Sequence, residues 1–371
     1  AAAGEKKMKR VPLGKTIKVL LSIVLAGVFL PLPAVAQEGR IEEIQVHSKG
    51  LEGNLLEDSA TRNVTVYLPQ EYGTKPDKRY PVVYLLHGYS GDNTLWTGEH
   101  VIKDLHIGAI ADKLISAGKI QPMILVAPDC NNFYGGSWYT NSPVTGRWQD
   151  FVAKDLVHHI DAEYRTIPNR MSRGIVGHSM GGHGAIKIAM QNPELFSVLY
   201  GMSPAAIDFE EILKPPFTAN FIEAAQTKNR NALPAIFWRS RSLIALAAAV
   251  APNPESEPFF GELPLDANGN RVEKTWQKWL KQDLSTGMLA THGDNLRKYQ
   301  AIAIDAGTKE DLLPSIEAFV AALKKADIDH TFEIFEGGHI DCVASQLEKK
   351  VLPLFSRTLK SDKEAVAVPI R

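Results

Sequence analysis

Gly177-His178-Ser179-Met180-Gly181-Gly182-His183-Gly184-Ala185 is the stretch on which the fold turns. An apolar run, RGIVGH (173–178), breaks at Ser179, and a helical pattern, GGHGAIKIAMQ (181–191), follows. A strand that passes sharply into a helix forces the residue between them into a strained backbone conformation. Gly177 and Gly181 leave room for the chain on either side, so Ser179 Oγ projects above the strand end. There it faces the free N–H groups of the new helix. The spacing G-x-S-x-G is common by itself. Strand before and helix after are what make Ser179 read as a nucleophile and not as a turn serine.

Working outward, similar apolar runs recur at VVYLLHG (82–88), MILVAPD (123–129), FSVLYGMS (196–203), AIAIDAG (301–307) and TFEIFEGG (331–338). The middle runs are apolar throughout and do not alternate, which is how strands covered on both faces of a parallel sheet read. IEEIQVHS and NVTVYLP, near the start, alternate better and suit an antiparallel edge. Between the runs, VIKDLHIGAIADKLISAG, RWQDFVAKDLVHHIDAEY and VASQLEKKVLPLFSRTL space apolar side chains for single buried helical stripes. Strand–helix alternation of this kind predicts a layered α/β domain with helices on both faces. From about 208 to 298 there is no clear βα unit. Pro-rich connectors, an Ala-rich run around Leu243–Val250 and a helical pattern from Val272 to Lys281 predict a largely helical insertion over or beside the strand ends.

A serine hydroxyl needs a base, and the base needs an acid. With Ser179 first in the chain, the acid and then the histidine should follow it. His339 comes directly after TFEIFEGG, and both Asp305 and Asp311 lie at or just beyond AIAIDAG. All follow the carboxyl ends of parallel strands, where the loops of such a sheet gather. Asp311 has the reach of a loop residue and is the favoured acid. Asp305 could instead brace the turn, and Glu310 and Glu336 are remoter candidates. Backbone N–H groups of Met180 and Tyr89 are the expected oxyanion donors, with His87 and Gly88 shaping the second loop. His178 and His183 read as supports of the nucleophile, and His158 and His159 as helix packing or surface. No metal-ligand spacing, dinucleotide motif or phosphate loop is present, so no cofactor is expected.

Aromatic residues crowd the expected entrance: Tyr89, Trp96, Phe133, Trp138, Tyr139 and Trp148. Trp96, Trp138, Tyr139 and Trp148 are the pocket candidates, suited to an acyl or aryl group or a sugar ring. Cys130 and Cys342 each follow a predicted strand, so one bridge between them is allowed, with two unpaired thiols as the alternative.

The N-terminal stretch carries Lys6, Lys7, Lys9, Arg10, Lys15 and Lys18, then VLLSIVLAGVFL, then Ala34-Val35-Ala36. A basic region, a short apolar core and an A-x-A end predict a signal peptide starting at Met8 and cleaved after Ala36, hence export to a bacterial periplasm or beyond. Residues 37–371 would then form one domain carrying the insertion. The apolar run is shorter than the ~20 residues of a membrane span and stops at Pro31 and Pro33. The 371 residues are 44% hydrophobic and carry a formal net charge of -1, enough for a sizeable core and without the positive field of a nucleic-acid binder.

VVYLLHGYSGDNTLW, SWYTNSPVTGRWQDFVAKDLVHHIDAEYRT, GIVGHSMGGHGA, DAGTKEDL and FEGGH together resemble the putative esterase family, which includes S-formylglutathione hydrolase, feruloyl esterases and mycolyltransferases. The resemblance covers roughly residues 40–205 and 296–358. It implies the α/β-hydrolase fold, a triad of Ser179, Asp311 and His339, and an oxyanion hole at Tyr89 and Met180. The expected activity is hydrolysis of carboxylic esters, of aryl or carbohydrate-linked type such as feruloyl or acetyl esters. Acyl transfer to an alcohol or sugar, amide hydrolysis, and a non-catalytic binding role are the alternatives.

Overall fold

The apolar runs pair side by side into one sheet in the computed structural model, which describes residue 1, residues 38–98 and residues 102–362. The expected signal peptide lies outside the described residues. Ten strands form: β1 (Arg40–His47), β2 (Thr61–Leu68), β3 (Val82–Leu86), β4 (Ile124–Pro128), the short β5 (Asn141–Ser142) and β6 (Gly146–Arg147), β7 (Arg173–His178), β8 (Val198–Met202), β9 (Ala301–Gly307) and β10 (Thr331–Phe335). β5 and β6 pair only with each other. The other eight lie in the order β1-β2-β4-β3-β7-β8-β9-β10. β1 and β2 are the antiparallel edge, and β4, β3, β7, β8, β9 and β10 run parallel.

Every residue of β3, β4, β7 and β8 is buried, which explains why their sequences do not alternate. Successive side chains still serve opposite faces. Val82, Tyr84 and Leu86 of β3 join one core, whereas Val83 and Leu85 join the other. The second core receives α1 (Ile107–Ser116) through Ile107, Ile110 and Leu114. The first receives the helix made of α2 (Trp148–Asp150), a π-helical stretch Phe151–Leu156 and α3 (Val157–Glu163), together with α4 (Met180–Gln191).

Between β8 and β9 the chain forms α5 (Phe209–Ile212), α6 (Phe217–Gln226), α7 (Trp238–Val250), α8 (Glu273–Gln282) and α9 (Gly287–Leu296), and no strand of the sheet. This is the helical insertion that the sequence predicts, and its Leu243–Val250 run is buried in the first core. After β9 come α10 (Leu313–Lys325), β10, α11 (Val343–Gln346), a second π-helical stretch Leu347–Val351, and α12 (Leu352–Thr358). Leu347, Val351, Leu352 and Phe355 complete the second core. The described residues from 38 to 362 cluster into one compact unit.

Strand register sets up the site. His178 pairs with Met202, Met202 with Asp305, and Gly307 with Phe335. Four neighbouring strands therefore end at nearly the same level, and Ser179, Ser203, the 308–312 turn and His339 all emerge over one rim.

Candidate active site

Ser179 sits between β7 and α4 with φ 59° and ψ -118°, a left-handed conformation that strains any residue carrying a Cβ. Glycine is required around it because the chains cross at contact. A Cβ on Gly177 would lie 2.1 Å from the Gly181 carbonyl oxygen, and one on Gly181 would lie 2.0 Å from that of Leu86. The elbow is fixed further by the Ser179 N–H, which donates to the Met202 carbonyl at 3.0 Å.

His339 Nε2 lies 2.8 Å from Ser179 Oγ, and His339 Nδ1 lies 2.6 Å from Glu310 Oε2. With the imidazole proton on Nδ1, the ring donates to Glu310 and accepts from the Ser179 hydroxyl. Burial works to raise the Glu310 pKa, but hydrogen bonds from His339, the Gly307 N–H and the Ser203 hydroxyl, with the His339 charge, outweigh it and hold it below the ordinary value. The His339 side chain is 28% exposed and that of Glu310 only 1%, so the imidazole opens to the surface while the carboxylate is shielded.

The carboxylate that the structure brings to His339 is therefore that of Glu310 and not, as expected, that of Asp311. Asp311, one residue on, points away and pairs with Arg239 of α7 at 2.6 Å, its side chain 44% exposed. Two forces separate these neighbours. The Gly307 N–H bonds Glu310 Oε1 and ties that carboxylate back to the strand end, and the insertion supplies Asp311 with a cation. Asp305 is buried below the loop, accepting from the Ser203 N–H at 2.9 Å and the Tyr200 hydroxyl at 3.0 Å, so it braces the turn. Glu336 pairs with Lys309 on the surface.

Met180 is the first residue of α4, so its N–H has no intrahelical acceptor. The other expected donor loop lies alongside, since a Cβ on Gly88 would stand 3.3 Å from Ser179 Cβ. His87 braces that loop: its Nε2 accepts from the Cys130 N–H at 2.8 Å and its Nδ1–H donates to the Gly88 carbonyl at 2.8 Å. The Tyr89 hydroxyl donates to the Tyr134 carbonyl at 2.6 Å and accepts from Arg241 Nε at 3.2 Å. His178 is a support: its Nε2–H donates to the His339 carbonyl at 2.8 Å, and the two rings lie 4.7 Å apart. Burial, and then the neighbouring His339 charge, push its pKa down to about 3, so it stays neutral beside the base. His183 likewise donates from Nδ1 to the Ala206 carbonyl at 3.0 Å.

A cavity of about 190 Å³ opens at Ser179 and His339. Tyr89 and Trp138 line it from the sheet side, as the sequence suggested. Phe217, Trp238, Arg239 and Leu243 of the insertion form the facing wall and were not anticipated, because no local pattern in 208–298 marks which residues meet the strand ends. Trp96, Tyr139 and Trp148 are corrected to core residues, each fully buried away from the cavity. Trp138 and Tyr139 both adopt positive φ, and this double kink separates them: Trp138 meets the cavity, while the Tyr139 hydroxyl donates to the His87 carbonyl at 2.9 Å. The Trp148 indole donates to the Thr145 carbonyl at 2.6 Å inside the core. Phe133 is half exposed and packs on Tyr134.

Cys130 and Cys342 are free thiols. Cys130 follows β4 and Cys342 follows β10, five strand steps away in the sheet, or about 24 Å at the usual strand spacing. A disulfide needs Cα atoms within about 7 Å. Among the described residues no helix is long and apolar enough to cross a membrane, and no group of three or more His, Cys, Asp or Glu could hold a metal ion.

Comparison with known proteins fits this geometry. An endo-1,4-beta-xylanase/feruloyl esterase of Xylanibacter ruminicola is 30% identical over 166 residues, 43% of this chain and 22% of that protein. Esterase Rv1288 of Mycobacterium tuberculosis is 36% identical over 132 residues, 34% of this chain and 25% of that protein. The chain thus spans about a quarter of the length of these curated relatives. A solved ferulic acid esterase shares the fold with a TM-score of 0.59 at 22% identity, covering 86% of this chain and 99% of that one. The Putative esterase family model matches residues 59–340. With its mostly parallel sheet, helices on both faces and strained serine at the strand–helix turn, the chain belongs to the Putative esterase family of the α/β-hydrolase superfamily.

Proposed function

We propose that the chain is a serine carboxylesterase that cleaves carboxylic esters through an acyl-enzyme. The observation that carries this reading is the unbroken hydrogen-bond path from Ser179 through His339 to Glu310. Ser179 Oγ attacks the ester carbonyl as His339 Nε2 takes its proton, and Glu310 stabilises the imidazolium that results. The Met180 and Tyr89 N–H groups receive the oxyanion; each such donor is typically worth about 3 kcal/mol in the transition state. His339 then returns the proton to the departing alcohol. Water repeats the sequence against the acyl group and releases the acid.

An apolar cavity rimmed by Tyr89, Trp138 and Trp238 supports esters with an aryl or short acyl group. The feruloyl esterase name of one relative agrees with aryl or carbohydrate-linked esters. The basic, apolar and A-x-A pattern ending at Ala36 supports export.

A fluorophosphonate label tests the nucleophile. It should modify the native protein at Ser179 and leave Ser179→Ala untouched, with p-nitrophenyl acetate turnover lost in parallel. Labelling elsewhere, or turnover surviving in a folded Ser179→Ala, would overturn the mechanism. A panel of p-nitrophenyl esters from acetate to laurate, with methyl ferulate and acetylated xylan, then ranks substrates.

A further inference from the structure

Ser203 stands one residue beyond β8, beside the Ser179 elbow, with φ 40°, a left-handed conformation costly for a residue with a Cβ. Its N–H donates to Asp305 twice, to Oδ1 at 2.9 Å and to the carbonyl at 3.1 Å. Its buried hydroxyl donates to Glu310 Oε1 at 2.8 Å. Asp305, 1% exposed, is held in turn by the Tyr200 hydroxyl at 3.0 Å and Gln346 Nε2 at 3.2 Å. Hydrogen bonds thus run from Asp305 through Ser203, Glu310 and His339 to Ser179.

We propose that Ser203 is a positioning residue for the hydrolytic reaction: it keeps the Glu310 carboxylate ionised and turned so that Oε2 faces His339, and Asp305 anchors Ser203 in the required conformation. The proposal rests on Ser179, His339 and Glu310 being the reacting groups. A carboxylate on a glutamate has a soft terminal torsion, so a single contact does not fix its plane. Here two donors, the Ser203 hydroxyl and the Gly307 N–H, meet on Oε1 and leave Oε2 to the imidazole alone. The strained φ at Ser203 directs its N–H to Asp305 and its hydroxyl to Glu310. Strain of this kind persists only where the surroundings over-determine it.

The charged and titratable groups near Glu310 include His339, His178 and Asp305, Lys309 and Asp311 on its own loop, and Arg239 of α7, which lines the same cavity and pairs with Asp311. Burial, with the Glu310 charge adding to it, pushes the Asp305 carboxyl up to about 7, while Glu310 is held low. Of these two carboxyls Asp305 is therefore the one that takes a proton first as pH falls, and Glu310 keeps its charge toward His339.

Ser203→Ala and Ser203→Gly test this together. Both delete the hydroxyl, and glycine also accepts the left-handed backbone, so at least one should fold to the native melting temperature. Expected for each folded variant is a fall in kcat of about tenfold, the usual scale for one lost hydrogen bond to an ionised group, with KM little changed. The acid limb of kcat/KM should move to higher pH, because a Glu310 carboxylate without the Ser203 donor turns more of its charge on the His339 imidazolium and favours that protonated form. A merely structural serine would lower activity only in proportion to the folded fraction and leave the limb in place; that result overturns the proposal. Glu310→Gln, measured alongside, separates the two levels. If it is inactive while the Ser203 variants match the native enzyme, the positioning role alone falls. If it retains full activity, the assignment of the reacting groups falls first.

Discussion

Glu310 and Asp311 are consecutive, yet one carboxylate lies 2.6 Å from His339 Nδ1 and the other 2.6 Å from Arg239 Nη2. One turn thus divides its two acids between His339 and the helical insertion. Removing each charge should have very different consequences. Glu310→Gln leaves the imidazole without an acceptor for its Nδ1–H and without a counter-charge when it takes the serine proton. Loss of the corresponding acid in a serine triad costs about 10⁴ in kcat, and a fall of about 10³ to 10⁴ is expected here. Asp311→Asn should change kcat by no more than a few-fold. Steady-state kinetics with p-nitrophenyl acetate decide between them, and the reverse ordering would return the acid role to Asp311.

The aromatic residues divide just as sharply. Trp238 is half exposed, lines the cavity and packs 6.5 Å from the Tyr89 ring, so it is placed to face whatever fills the cavity without supporting the core. Trp238→Ala should raise KM for aryl esters by about three- to tenfold, the scale of one aromatic contact, and leave the melting temperature nearly unchanged. Trp148 lies in the core under Arg62, whose guanidinium sits 5.1 Å from its ring centroid. Trp148→Ala should cost about 3–5 kcal/mol in stability, with KM unchanged in whatever enzyme remains folded. Urea denaturation and kinetics on the two variants give the comparison. Equal effects on KM would place Trp148 back in the pocket.

What could be seen in advance follows the range of the interactions involved. The strands announced themselves because burial on both faces writes itself into consecutive residues, and the elbow did so because crossing chains tolerate only Gly177 and Gly181. Ser179 and His339 are each placed by the strand before them, so chain order is enough to bring them to one rim. Glu310 was not, because the choice between it and Asp311 is made by a hydrogen bond back to Gly307 and a cation 72 residues away in α7. Trp138 and Tyr139 are equally aromatic and adjacent, and only the positive φ at both positions sends them to different places. The sequence leaves a bridge and two free thiols both open for a related reason, and the structure has the free thiols. Both follow strands on the same rim, but the distance between them depends on strand order across the sheet, which the sequence does not spell out locally. Lys187 gave no signal either, since its burial depends on Thr140 and Gln282 meeting over α4.

That lysine makes stability depend on pH. Lys187 is fully buried, donates to Thr140 Oγ1 at 2.9 Å and Gln282 Oε1 at 3.0 Å, and burial brings its pKa down to about 7. In the unfolded chain it stays protonated up to its ordinary value near 10.5. Between these limits the unfolded state holds more protons, so the contribution of Lys187 to stability rises with pH across that window, by at most about 1.4 kcal/mol per unit. Below pH 7 the folded protein must carry a desolvated charge there. Lys187→Met removes this dependence. Urea-derived stabilities of the native protein and the variant should diverge in favour of the native protein from about pH 7 to pH 10. Parallel curves would mean that Lys187 keeps its proton in both states.

The elbow itself offers a test of strain that is independent of catalysis. Ser179 is held at φ 59° and ψ -118° by contacts at Gly177, Gly181 and the Met202 carbonyl, none of which uses its hydroxyl. Ser179→Ala and Ser179→Gly should therefore be equally inactive, since both lack the nucleophile, but not equally stable. Alanine retains the Cβ that makes this conformation unfavourable, a strain of roughly 1–3 kcal/mol at such positions. Glycine removes the strain, although it adds backbone entropy to the unfolded chain that offsets part of the gain. The glycine variant should melt above the alanine variant in a calorimetric scan at one pH. An alanine variant that melts higher would mean that the turn is relaxed, and that the reactivity of Ser179 owes nothing to a backbone held under tension.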